Sequence, residues 1–250
     1  MTRPKKAMSA RVAWASVAVA NARADPDIAN RLAKYGIDAA RLDQDNTLLI
    51  GASASMSNQV AATGQHLAAS AHTDAIEGIV RTQTDAIANI AKVALDRPSL
   101  ATLGLDRTLP RSLDTFVTAT LAVYDNAVGQ PGIAAQLARY GYPADRLTAE
   151  RAQVQAFIDA RRAQEAAKGA AQQATAAQTA AMDALDEEMR AFKKIAKVAL
   201  KDAPQLLEKL GIAVRTTRTE AQRHAGAKAA ATRKAKKQPK PEERELVGVK

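Results

Sequence analysis

The sequence predicts an all-α fold, built by tandem duplication of an antiparallel helical-bundle unit and followed by a disordered basic C-terminal tail. Three observations carry that expectation. The hexamer Ile90-Ala91-Lys92-Val93-Ala94-Leu95 returns in the same order at Ile195 to Leu200, an offset of 105 residues. At the same offset, residues 28 to 42 align with residues 133 to 147, and nine of fifteen positions are identical. Two matches at one spacing point to an internal duplication. Aromatic residues make up only 3% of the chain, while alanine, leucine, glutamine and charged residues dominate, the composition of a helix former. The expected organisation is repeat one over 6–105, repeat two over 106–214 and the tail over 215–250.

The first segment invites a different reading. Arg3, Lys5 and Lys6, a mostly apolar run from Val12 to Ala20, and Ala22-Arg23-Ala24 before Asp25 resemble a secretory signal with its cleavage site. Arg11 interrupts the run, however, and residues 6–27 align with 111–132 through Val12/Val117, Asn21/Asn126, Ala22/Ala127 and Pro26/Pro131. The segment is therefore read as the first helix of repeat one. Its apolar run falls far short of the roughly 20 residues that cross a bilayer, so no membrane span is expected.

Punctuation within each repeat is consistent. Asp25-Pro26 reads as an N-cap followed by proline at the first helical position, whereas Gln130-Pro131 keeps the proline and loses the capping side chain. The short helix that follows should stop at Gly36 or Gly141. Glycine supplies the left-handed conformation of a helix stop, and a hydrophobe just beyond it folds back, Ile37 to Leu32 and Tyr142 to Leu137. Gly104 and Gly211 should close the repeats in the same way, pairing Leu105 with Leu100 and Ile212 with Leu207, with Pro98 and Pro204 opening the closing turns.

Between these stops lie two long proline-free parts, 39–96 and 144–201. Each opens with large apolar residues at helical spacing, Leu42, Leu49, Met56 and Val60 in one and Leu147, Val154, Phe157 and Ile158 in the other. Each closes with another stripe, Ile76, Ile79, Val80, Ile87 and Ile90, then Met182, Leu185, Met189, Phe192 and Ala196. From Asp159 to Ala181 no large apolar side chain occurs. Gly64 and Gly169 fall at matching positions there, which suggests a hairpin corner or a tight contact. A hairpin keeps each repeat compact and is the preferred reading over one continuous helix, with His72-Thr73-Asp74 as a cap for a fresh helix. Each hexamer should then lock against the first helices of its own repeat.

Charge is concentrated at the ends. Of a net +10, residues 1–6 hold +3 and residues 223–250 hold +6, so the body is left with about +1 and no strong field to steer a polyanion. The tail, low in apolar content and rich in charge, cannot offset its ordering entropy and should be disordered. Its cluster Arg233, Lys234, Lys236, Lys237 and Lys240 could hold phosphates by counterion release, without aromatics to stack on bases, so any nucleic-acid binding would be non-specific. A solubilising tail accounts for the same residues.

Catalytic and metal chemistry find little footing. There is no cysteine, which removes disulfides, thiolate zinc sites and a cysteine nucleophile and fits a reducing, cytoplasmic setting. His66 and His72 are six apart and so leave a helix on different sides, unlike metal ligands. Asp183, Asp186, Glu187 and Glu188 share a helix with an apolar seam, and Asp186 should meet Arg190 one turn on. Gly51-Ala52-Ser53-Ala54-Ser55 lacks the second glycine and the preceding strand of a nucleophile elbow. No phosphate-binding glycine motif is present, and no cofactor is expected.

The succession of Tyr140-Gly141, Arg146-Leu147, an Ala/Gln-rich helix, Ile195 to Leu200 and Pro204-Gln205-Leu206-Leu207-Glu208-Lys209-Leu210-Gly211-Ile212 resembles a group of bacterial proteins built from two helical-bundle repeats with a variable, often basic, tail. The likeness covers roughly 6–214. It implies the fold and carries no activity or functional residue. The functional expectation is a non-enzymatic scaffold or adaptor that binds a protein partner or itself. The alternative is an accessory protein that touches nucleic acid through its tail.

Overall fold

A computed structural model describes residues 7–214 and 228–229 and is all-α, with no strand among those residues. The helices run α1 Met8–Ala24, α2 Pro26–Ala33, α3 Ala39–Ala94, α4 Arg97–Leu103, α5 Leu113–Gly129, α6 Pro131–Ala138, α7 Ala144–Ala199 and α8 Pro204–Lys209. The residues of the expected tail lie outside the described ones, Lys228 and Ala229 apart.

Starts and stops follow the chemistry of the sequence. The Asp25 carboxylate accepts from the amides of Asp27 and Ile28, satisfying donors that the first turn of α2 leaves unpaired, and Pro26 has no amide to satisfy. Gln130 makes no such bond at the start of α6. All four anticipated glycine stops form. Gly36, Gly104, Gly141 and Gly211 have φ of 83°, 74°, 86° and 65°. Beyond each, the next amide reaches back across the turn: Ile37 to the Leu32 carbonyl at 3.2 Å, Leu105 to Leu100 at 2.9 Å, Tyr142 to Leu137 at 3.2 Å and Ile212 to Leu207 at 2.9 Å. These bonds consume carbonyls that the helix ends would otherwise leave orphaned.

The hairpin expectation is corrected. α3 and α7 are continuous helices of 56 residues each. Nothing in either segment stops a helix, because alanine has the best intrinsic propensity and a lone glycine costs only about 1 kcal/mol. Neither glycine marks a tight contact: a Cβ added at Gly64 or Gly169 would meet nothing within 4 Å. Thr73, expected in a cap, is instead buried mid-helix, its hydroxyl near the carbonyls of Ala69 (2.9 Å) and Ala160 (3.3 Å). Gln164 donates to the Ser70 hydroxyl at 3.0 Å. Rising numbers on α3 thus face falling numbers on α7, so the two are antiparallel there.

The described residues form two compact units, one of Asp43–Ala191 with the first helix up to Ser16, the other of Val17–Leu42 with residues 192–214. In the first unit, Val80, Ile87 and Ala91 of α3, with Leu95 just beyond it, share a core with Phe116 and Tyr124 of α5, Leu137 of α6 and Phe157 of α7. That core holds no residue of α1 or α2. In the second unit, Ile28 and Leu32 of α2 are buried, as are Phe192 and Ala196 of α7, Leu200 just beyond it, and Leu206 and Leu207 of α8. The expectation that each hexamer packs on its own preceding helices is therefore overturned. A straight helix of 56 residues carries its end about 80 Å from its own start.

Asn21 and Asn126 show what that crossing requires. Asn126 on α5 donates its side-chain amide to the Thr102 carbonyl near the end of α4 at 2.8 Å. Asn21 on α1 donates to the Lys209 carbonyl at the end of α8 at 2.6 Å. Each caps a helix drawn from the other half of the sequence. Lys209 also donates to Asp25 at 3.0 Å, and that bond, with the amides of α2, holds the Asp25 carboxyl below the usual carboxylate range.

Burial within the stripes also differs from expectation. Leu42, Leu49, Leu147, Val154 and Phe157 are buried, as is the whole stripe from Met182 to Ala196. Val60 and Ile79, expected inside, are 68% and 47% exposed. In the hexamers the buried positions are Ala91 with Leu95 and Ala196 with Leu200, while Val93 and Val198 lie outside.

Candidate functional site

The basic cluster Arg233, Lys234, Lys236, Lys237 and Lys240 lies outside the described residues. Ser53, Ser55 and Asp186, singled out in the sequence, each have a structural partner. Ser53 and Ser55 donate back to the carbonyls of Leu49 and Ala52 within α3, at 2.9 and 2.8 Å, and no base adjoins them in these bonds. Asp186 does not pair with Arg190 as expected; it pairs with Arg11 on α1, because the packing of α7 brings a guanidinium from outside its own helix. Among the described residues no group of three or more His, Cys, Asp or Glu is arranged to hold a metal ion. None of the described helices is long and apolar enough to cross a membrane.

A buried polar network centres on Glu150. Glu150 on α7 is 5% exposed. It accepts from the Tyr124 hydroxyl of α5 at 2.8 Å and from Arg146 Nε, one helical turn earlier, at 2.8 Å. The Arg146 guanidinium lies 3.9 Å from the centre of the Tyr142 ring and donates to the Gly141 carbonyl at 3.0 Å. Burial, then the Glu150 carboxylate, push the Tyr124 phenol far above its ordinary value. Burial and the same carboxylate raise Tyr142. Both Glu150 oxygens are thus engaged and the phenol is held neutral, which suits a clamp joining α5, the Gly141 turn and α7. A buried carboxylate is tolerated when its lone pairs are met in this way.

Open features are also present among the described residues of the first unit. A groove of about 880 Å³ runs between α1 and α3, with Val12 and Ala13 on one wall and Leu49, Ile50 and Met56 on the other. A cleft of about 670 Å³ lies between the C-terminal part of α3, the segment from Leu105 to Arg111 and Phe116 of α5. Arg81, Asp85, Asn89 and Lys92 contribute from α3, where successive turns place them along one face. Arg81 is oriented by Glu77 at 2.7 Å and lies 4.5 Å from the centre of the Phe116 ring.

Sequence reasoning missed both features. The near-neutral body concealed four cations gathered at one cleft, because segment charge records sums and not positions. The stretch Asp106-Arg107-Thr108-Leu109-Pro110-Arg111 is the one local sign of it. Comparison with known protein families, with curated proteins and with solved structures found no match to this chain.

Proposed function

We propose that this chain is a non-enzymatic helical scaffold, formed by tandem duplication, that associates with itself or with a protein partner through an exposed face of α3. One observation carries the reading. Ile50, Ser53, Ser57, Val60, Gly64 and Leu67 alternate by three and four along α3, the spacing of a helix-pairing seam. All six are exposed, with Ile50, Val60 and Leu67 at 61%, 68% and 64%. Small residues between the large ones let a second backbone come close. The groove against α1 begins at the same face, at Ile50 and Ser53. The duplication reading is supported by α2 and α6, and α3 and α7, each pair starting 105 residues apart with equal lengths.

Light scattering on the full chain tests the proposal, together with a pull-down using it as bait. Val60→Asp and Leu67→Asp should abolish association while changing stability by no more than about 0.5 kcal/mol, since both sites face solvent. Unchanged mass and unchanged partner recovery in both variants would refute the α3 face as the contact.

Charge supports an alternative, a nucleic-acid accessory protein binding through residues 223–250, which hold +6 of the net +10. On that reading, removing the segment abolishes a sequence-indifferent, salt-sensitive affinity. Binding that survives the truncation moves the contact into the body.

A further inference from the structure

The cleft between α3 and the Leu105–Arg111 segment has the chemistry of a ligand site, and we propose that it binds a small organic phosphate monoester. Its lining includes four cations, Arg81, Lys92, Arg107 and Arg111, against two acids, Asp85 and Asp106. Among the described residues neither Lys92 nor Arg111 has an ion-pair partner. Arg107 lies 3.7 Å from Asp106, with its side chain 89% exposed, and so is weakly held. Cations arrive from two directions, α3 and the loop. That arrangement suits a group with three acceptor oxygens and nearly two negative charges better than a two-oxygen carboxylate.

The rest of the cleft suits an organic body. Leu105, Leu109 and Phe116 supply an apolar floor, while Asn89 and Thr108 offer hydrogen bonds. A volume of about 670 Å³ falls in the range of small-molecule sites. Arg81 is already fixed between Glu77 and the Phe116 ring, so little ordering cost remains when it meets an anion. The positions 105 residues away make a useful contrast. There Asp186 stands for Arg81 and Arg11 for Phe116, and the two close on each other as an ion pair. Of the four cleft cations, Lys92 is matched 105 residues on by the identical Lys197, and of the apolar lining Leu105 is matched by Leu210.

Isothermal titration of the full chain with phenyl phosphate, inorganic phosphate and benzyl alcohol tests the assignment. Phenyl phosphate should saturate a single site, inorganic phosphate should bind about tenfold more weakly, and benzyl alcohol should give no binding heat. Arg111→Glu and Lys92→Glu should each weaken phenyl phosphate by at least about tenfold with the helical circular dichroism unchanged. Lys197→Glu should leave it unaltered. The proposal fails if phenyl phosphate does not bind, if it binds no better than inorganic phosphate, or if Arg111→Glu and Lys92→Glu bind like the parent. It also fails if Lys197→Glu weakens binding as much as Lys92→Glu, because the effect would then be one of total charge.

Discussion

Tyr124→Phe removes one oxygen from a fully buried ring and isolates the clamp at Glu150. The ring keeps its packing, so no cavity larger than a hydroxyl is left. What disappears is a 2.8 Å bond to a carboxylate that is itself 5% exposed. A hydrogen bond to a charged group is worth about 1.5–3 kcal/mol net, and water has little access to replace it, so that range is the expected loss. With Glu150→Gln already in place the acceptor is neutral, and the same change should cost about 0.5–1.5 kcal/mol. Urea unfolding of the four proteins of this cycle measures both costs as midpoint shifts at constant slope, and their difference gives the coupling. Alkali supplies an independent arm. Because the folded-state phenol titrates above the unfolded value near 10, its contribution is complete below that pH and declines as pH rises beyond it. Tyr124→Phe should lack that part of the alkaline loss. A cost below about 0.5 kcal/mol, or equal costs in the two backgrounds, would refute the clamp.

Two further predictions concern the long helices. Within the second hexamer, Leu200→Ala should cost about 2–5 kcal/mol because Leu200 is fully buried, whereas Val198→Ala should stay within about 0.5 kcal/mol because Val198 is 59% exposed; thermal melts that rank them the other way would contradict the packing. Gly169→Ala, outside the proposed α3 seam, should stabilise by about 1 kcal/mol, since the added methyl meets nothing within 4 Å and helix propensity alone acts, and a destabilised variant in urea unfolding would mean that the site is crowded or bent.

Local chemistry was legible in the sequence, and the all-α class of the described residues with it. Abundant alanine favoured helix, and Asp25 before Pro26 and glycines followed by a hydrophobe set where most helices begin and end, because caps and left-handed stops involve residues within about one turn of each other. The functional features were not legible for the complementary reason. Whether α3 bends at Gly64 depends on what a straight helix finds to pack on, and Thr73 finds Ala160, 87 positions away. That straightness then decides that Leu95 joins Phe116 and that Asn126 caps α4. It also determines that Arg81 and Lys92 meet Arg107 and Arg111. Periodicity placed Val60 and Ile79 on an apolar stripe but could not say which part of the stripe another helix covers. The sequence by itself determined helix type, caps and the repeated hexamer, all products of short-range bonding. Only the tertiary structure decided which half each hexamer packs against, which stretch of α3 stays uncovered and where cations converge, since those depend on long-range contacts.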